Sequence, residues 1–565
     1  MSATPTSSDA ARPGPQPADP RARTPLRRLY RRDLGGYPAT GARIGYLAIV
    51  VVTTVVLYYM LYVQYAVATS IMTHFGMTYR YFVWVSVIGN AVGAFASLVA
   101  GLADRWGRAN MVVYGLLVAS LLVFFGLPNA GGKSTYLVLF ALVSVIEGMV
   151  LVATPALIRD FSPQLGRATA MGAWTMGPVV GSLVVTTVTS QTLDTSGWQD
   201  ELRYSALAGL VVFVVALVAL RELSPALRDQ IMVSLRDRAL VEARAQGIDP
   251  GTLRRGTQWR QMLRWDIAGS GLGIALFLLL YFAAVGNFVV YFATTYGYSE
   301  QRANAVANWY WAANALALVA VGLLSDRLKV RKPFMIAGAV GSIAVTAVFA
   351  TRATHPGTGY YTFAWLFVGI GVFSGVAYGP WMAGFTETVE KHNPAATATG
   401  LAVWGWTIRI VVAVSSALIP VLVTSVTPLV DHGPQVTAAQ RQAAPALAIV
   451  AAHPQVFAEL GTYPPGKAPA DVTARAVQEV GPADLATVQR AQPQLAVLQQ
   501  YGTKVQRAAH DGPGQWRTWW WICVAGQVLF LPFVFLMSGR WSPRRAREDA
   551  AAHEAAVARE LAALR

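Results

Sequence analysis

The sequence predicts an all-α membrane protein whose twelve transmembrane helices form two pseudo-symmetric six-helix bundles. Three observations lead there: a composition too apolar for a water-facing surface, apolar runs of membrane-spanning length, and short motifs that return about 222 residues later. The 565 residues are 54% hydrophobic and only 13% charged, with a mean hydropathy of +0.43. A soluble chain of this size needs more charge to cover its surface.

Residues 1–42 are rich in Pro, Ser and Arg without an apolar core. They read as a disordered cytoplasmic tail with no cleaved signal peptide. A helix needs roughly 20 apolar residues to cross the bilayer core. Runs of that kind stand at 44–68, 81–103, 110–128, 135–157, 168–190 and 204–222, then at 267–293, 303–325, 334–352, 360–385, 397–424 and 516–538. Their Gly, Ala and Ser content suits close helix packing in lipid. They are continuous, unlike the ten-residue alternating segments of a membrane β-barrel. The expected units are a bundle over 43–222, a cytoplasmic linker at 223–265, five helices over 266–425, an extracytoplasmic insertion at 426–515, a last span at 516–538 and a cytoplasmic tail at 539–565.

The net charge of +16 is segregated. Arginines cluster before the first span, in the Arg221–Arg264 loop, at Arg327–Lys332 and after Arg540. All of these fall on one side if the chain starts inside and crosses twelve times. The positive-inside rule then places both termini in the cytoplasm. The excess charge therefore marks topology, and no nucleic-acid partner is expected. Lys supplies only six of the 45 basic residues, a composition that suggests a GC-rich bacterial source and hence a plasma (inner) membrane. The 426–515 insertion carries six basic and six acidic residues, and its neutrality fits an external position. Cys523, the only cysteine, excludes an intrachain disulfide and cysteine-based metal sites. Gly131-Gly132-Lys133-Ser134-Thr135 resembles part of a phosphate-binding loop, but residue 127 is Leu and no strand precedes it. No cofactor or metal is expected, and neither is an enzymatic activity.

Leu102-Ala103-Asp104-Arg105 returns as Leu324-Ser325-Asp326-Arg327, and Phe75-Gly76-Met77-Thr78 as Tyr296-Gly297-Tyr298-Ser299. Pro155 matches Pro380, and Trp174-Thr175 matches Trp406-Thr407. Four matches in the same order indicate a duplicated six-helix unit. Two such bundles can rock about a site at their interface, giving alternating access to the two sides.

The stretch Ala100-Gly101-Leu102-Ala103-Asp104-Arg105-Trp106-Gly107-Arg108, with its second copy Gly322-Leu323-Leu324-Ser325-Asp326-Arg327, resembles the signature that follows the second helix in the major facilitator superfamily of transporters. The resemblance covers roughly 44–425 and 516–538. It implies that Asp104, Arg105, Gly107, Arg108, Asp326 and Arg327 act in gating, with the arginines tied to acids such as Asp160. Asp104 is expected to face the start of the eleventh helix and Asp326 the start of the fifth. A carboxylate suits such a helix N-terminus because of its unpaired N–H groups. Gly177-Pro178, followed by Gly181, resembles a fifth-helix pattern of proton-exchanging exporters, with Ala173 and Ser182 where that pattern has glycine. These residues are expected to kink and thin the helix. The family's common fourth-helix arginine is replaced by Ser144.

A charge near mid-bilayer costs about 2.5–3.5 kcal/mol on insertion scales, so it normally faces a cavity or a partner. Two residues stand in that position: Glu147 in the fourth span and Arg409 in the eleventh. All seven histidines lie outside the spans. By elimination Glu147 is the leading proton carrier, with a structural hydrogen bond to a neighbouring helix as its plainer use. Arg409 keeps its charge, which suits it to an anionic substrate. A salt bridge to Glu147 in one conformational state and a purely structural role are its other readings. Gln64 and Asn287 occupy nearly equivalent repeat positions in the first and seventh spans. Together with Trp311, Trp404 and Trp406 they complete the expected substrate pocket. The expected partners are a small-molecule substrate, protons and the lipid bilayer, and a monomer suffices. The leading reading is proton-coupled movement of a small organic solute, with an organic anion as its narrower form because of Arg409. Export of drugs or metabolites against protons is the second reading, and a non-transporting sensor or scaffold the third.

Overall fold

The computed structural model describes residues 31–98, 106–162, 172–225, 258–355, 357–393, 397–464 and 467–563, and isolated residues of the 226–257 linker. Among them ten helices are long and apolar enough to span a membrane. In the first half these are α1 (Thr40–Ala66), α3 (Arg108–Asn129), α4 (Lys133–Phe161) and α6 (Trp198–Ala219). In the second they are α7 (Trp265–Tyr296), α8 (Glu300–Leu328), α9 (Lys332–Arg352), α10 (Tyr360–His392), α11 (Thr399–Leu422) and α12 (Gln492–Leu536). Two further helices, α2 (Tyr79–Leu98) and α5 (Gly177–Thr192), complete two sets of six. All-round apolar helices of this kind have no polar face to turn to water, as expected of membrane spans.

Small residues set the closeness of the helices. A Cβ on Gly148 of α4 would lie 2.3 Å from the carbonyl oxygen of Gly93 on α2, and one on Gly93 would lie 2.8 Å from that of Ser144. The two backbones are therefore in contact. Ser144 is buried at this crossing, so an arginine has no room where the family pattern carries one. α5 seats on α1 in the same manner: Gly177 faces Thr54, and Gly181 faces Tyr58 and the Val55 carbonyl. Pro178 opens α5 after a turn at Met176.

The N-terminal segment is ordered earlier than its composition suggests. Asp33–Leu34 (β1) pairs in parallel with Glu222–Leu223 (β2), and α1 begins at Thr40. The expected boundary of the free tail at residue 42 is thus corrected for residues 31–42. The cause is Arg32, which is 1% exposed. Its guanidinium donates to the carbonyls of Ala216, Leu217 and Leu220 and to Asn110, capping the C-terminus of α6 where orphan carbonyls attract a cation.

The insertion is helical, with segments Val426–Gln442, Ala444–Ala452, Pro454–Leu460, Ala470–Val480 and Pro482–Arg490. It packs small apolar clusters of its own around Ala446 and Val456. It touches the bundle through Asp431, which accepts the backbone N–H of Tyr79 at 2.9 Å. The helix ends on this side are called the insertion end below, and the opposite ends the linker end.

Candidate functional site

Toward the middle of the bundle Glu147 of α4 and Arg409 of α11 lie within electrostatic range of each other across the two halves. Both also act on the Tyr58 hydroxyl of α1. All three keep partial accessibility although each sits well inside its helix, as groups bordering an internal cavity do. Applying the repeat offset of Pro155 and Pro380, Glu147 corresponds to Val372; by that of Trp174 and Trp406, Arg409 corresponds to Gly177. The charged pair therefore has no counterpart in the other half of the duplication. It belongs to the chemistry of one site rather than to the shared scaffold.

The same region gathers tyrosines. Tyr58 and Tyr62 on α1 lie one turn apart, with ring centroids 5.2 Å from each other. Tyr281 of α7 lies within electrostatic range of Tyr310 on α8, of Tyr58 and Tyr62, and of Tyr378 on α10. Trp311 of α8, 1% exposed, stands edge-on to Tyr281 at 5.2 Å. It backs the site rather than forming a free wall. Trp404 lies 5.8 Å from Trp381 and beside Gly271 of α7, on the inner face of α11. Trp406 faces the other way. It shares an exposed stripe with Ile410, Val414, Leu418 and Val421, the aliphatic face that a spanning helix turns to lipid. Its place in the pocket is corrected accordingly.

Gln64 and Asn287 serve other contacts. The Tyr136 hydroxyl donates to Gln64 Oε1 at 3.2 Å inside the first half. Asn287 Oδ1 accepts from the Tyr79 hydroxyl at 2.7 Å and thereby joins α7 to α2. That bond belongs to a group which closes the two halves at the insertion end. Glu300, at the start of α8, accepts from Thr69 Oγ1 at 2.5 Å, from Ser70 Oγ at 2.5 Å and from the Ser70 N–H at 2.9 Å. The helix breaks at Val67 and restarts as Ala68–Phe75, which leaves first-turn N–H groups without helical partners and offers them to this carboxylate. One turn along α8, Asn304 donates to the Ala66 carbonyl at 2.9 Å. A further turn along, Asn308 accepts from Thr186 and Thr187 and donates to Ser190 of α5. Sequence reasoning missed this clasp. Its signal was an Asn-x-x-x-Asn spacing after Glu300, a polar ridge on one face of an otherwise apolar helix.

At the linker end the arrangement is intramural. Arg108 donates to both oxygens of Asp160 at 2.9 and 2.8 Å, and both residues are buried. Its backbone N–H donates to Glu222 Oε2 at 2.7 Å. Gly107 sits at φ +90°, where a Cβ would come within 2.3 Å of Glu222 Oε1; a side chain is excluded on both counts. In the second half Arg331 bonds Asp326 at 2.6 Å and Glu387 at 3.0 Å. The two halves thus carry matching arginine–acid anchors, Arg108–Asp160 and Arg331–Glu387. Arg331, Glu387 and Glu222 were not singled out from sequence. Arg327 is exposed, and Asp104 and Arg105 lie outside the described residues.

Two six-helix halves, clasped at one end and meeting at a charged, tyrosine-lined centre, are the arrangement of a membrane transporter. The sequence profile of the Major Facilitator Superfamily matches residues 50–414, and the chain belongs to that family. It is a transporter rather than an enzyme. Among solved structures it resembles a bacterial homologue of the human lysosomal transporter Spinster in an inward-facing, occupied conformation. There the TM-score is 0.54 at 15% identity, over 88% of this chain and 97% of that one. The unoccupied form of the same homologue gives a TM-score of 0.53 at 15% identity, covering 90% and 100%. A D-xylose–proton symporter gives 0.51 at 14% identity, covering 67% and 90%. No curated protein sequence matches the chain.

Proposed function

We propose that the protein is a proton-coupled secondary transporter of a small organic anion, working by alternating access in the plasma membrane with both termini cytoplasmic. The observation that carries this reading is the placement of Glu147 and Arg409, from opposite halves, within electrostatic range of each other. A fixed cation and a removable negative charge form an exchange site. With Glu147 ionised, the pair is internally neutral. When Glu147 takes a proton, Arg409 is released to a substrate carboxylate or phosphate, which its planar guanidinium can bind bidentately. Proton and anion binding then favour each other, and their coupling is reciprocal by linkage. The loaded site presents no bare charge to the apolar bundle, and this permits the halves to rock.

The rest of the molecule fits that cycle. The Glu300 clasp holds the insertion end shut while the anchors at Arg108 and Arg331 keep each half rigid. The motif residues Asp104, Arg105, Asp326 and Arg327 are assigned to the linker-end gate. Gly177, Pro178 and Gly181 seat α5 on α1 beside Tyr58. Through that contact a movement of α5 reaches the site. Export against protons would need a substrate that competes with the proton at Glu147, as an organic cation would, instead of one whose binding is favoured by it.

The test is flux in proteoliposomes loaded with a pH-sensitive dye. Addition of a transported anion acidifies the lumen in the wild type. Glu147→Gln should abolish the proton signal while leaving anion exchange at equilibrium. Full proton flux in Glu147→Gln would reject the assignment.

A further inference from the structure

The geometry points to a planar aromatic carboxylate as the substrate class, an inference that rests on the anion-binding role given to Arg409. The charged pair lies beside a cluster of phenols contributed by both halves. The Tyr58 and Tyr62 ring centroids lie 5.2 Å apart, and Tyr281 and Tyr378 lie within electrostatic range of Tyr58. They come from α1, α7 and α10, and so from both halves. All four keep partial accessibility inside the bundle, as do Glu147 and Arg409.

The orientation of the rings is fixed from behind. Tyr281 stands edge-on to the buried Trp311 at 89°, while Tyr378 lies nearly parallel to the buried Trp381 at 16°. A preformed set of flat walls favours a flat guest, because ring faces and edges attract one another in stacked and edge-to-face arrangements. The phenol hydroxyls donate hydrogen bonds, and a carboxylate held by Arg409 has lone pairs left to accept them. Aromatic walls beside a carboxylate also suit an organic cation. Here the permanent charge of Arg409 stands in the same place and opposes one. A neutral guest would leave that charge without a counter-ion once Glu147 is protonated, a costly state in an apolar interior.

The duplication supports a built feature. Tyr58 and Tyr281 are repeat equivalents, at the 223-residue offset that relates Gln64 to Asn287. Thus one aromatic wall is supplied twice, once by each half, while the charges were placed singly between them.

The experiment is equilibrium binding to the purified full-length protein by calorimetry with four probes: benzoate, cyclohexanecarboxylate, benzamide and benzylammonium. Benzoate is expected to bind at least about tenfold more tightly than cyclohexanecarboxylate, with benzamide and benzylammonium weaker still. Tyr58→Leu and Tyr281→Leu should collapse that preference towards unity, while Tyr58→Phe and Tyr281→Phe retain most of it. Thermal melting of each variant confirms that it is folded. Equal binding of the two carboxylates, both lost in Arg409→Gln, would overturn the aromatic inference and leave the anion reading standing. Benzylammonium binding with both carboxylates silent would overturn the two together. Benzamide binding as tightly as benzoate would overturn the carboxylate assignment, and silence from all four probes would overturn the proposal.

Discussion

Removing the Glu300 carboxylate should open the insertion end. It accepts two hydroxyl bonds and one backbone N–H bond from Thr69 and Ser70 of the other half. Hydrogen bonds to a charged group contribute about 1.5–3 kcal/mol each and are not additive. Taking roughly 3–4 kcal/mol for the group as a whole, Glu300→Ala multiplies the open-to-closed ratio by about 150- to 700-fold, since 1.4 kcal/mol is tenfold. An open state populated at a fraction of a percent would become a major species. The assay is double electron–electron resonance in a Cys523→Ser background. Spin labels at the exposed positions Thr195 and Tyr361 report on the two halves at this end. Wild type should give one short distance, and Glu300→Ala a second, longer component of comparable weight. Glu300→Gln should fall between them, because the amide still accepts but carries no charge. Distance distributions identical in wild type and Glu300→Ala would refute the clasp.

Other consequences follow from single contacts. Arg108→Ala strands the buried Asp160 carboxylate and should cost about 3–5 kcal/mol, read as a lowered melting temperature; adding Asp160→Asn should restore part of the loss in a double-mutant cycle. Gly148→Ala forces a methyl towards a backbone oxygen 2.3 Å away, so it should destabilise by about 1–3 kcal/mol and be felt at the neighbouring Glu147 as reduced flux. Burial holds the Asp431 carboxyl above its ordinary value of 3.8 despite the Tyr79 N–H that it accepts. An acid with a raised native value binds more protons folded than unfolded, so its favourable contribution is complete in acid and fades as pH rises through the native value. Relative to Asp431→Asn, the wild type should therefore lose thermal stability as pH rises above the ordinary aspartate value of 3.8. A difference that does not change with pH above that value would contradict the burial argument.

The fold was readable because a bilayer imposes one length and one polarity on every spanning helix, and because the duplication left paired motifs at a near-constant offset. Glu147 and Arg409 were readable as charges where charge is costly. The pairing of Arg108 with Asp160 followed from a motif shared with the family. The clasp was not readable, since Thr69, Ser70, Glu300, Asn304 and Asn308 are unremarkable polar residues until the halves bring α1, α5 and α8 together. Glu222 and Arg32 were missed for the same reason: the partners named above lie 78 to 188 residues away in sequence. Tyr58, Tyr62 and Tyr65 recur at helical spacing, and that periodicity was open to reading as a single face. Trp406 misled because residue type was weighed without its side of the helix, where Trp404 and Trp406 point nearly opposite ways. For Gln64 and Asn287 the repeat symmetry was real, yet their hydrogen bonds go to Tyr136 and Tyr79 and not to one shared pocket.

The central claim is that anion binding and protonation of Glu147 are one linked event. It is tested most directly by titrating purified protein with a bound anion in weakly buffered solution and counting protons. The account predicts net uptake of up to one proton per anion bound by the wild type, and none by Glu147→Gln at the same occupancy. Anion binding without proton uptake in the wild type, or equal uptake in the variant, would contradict it.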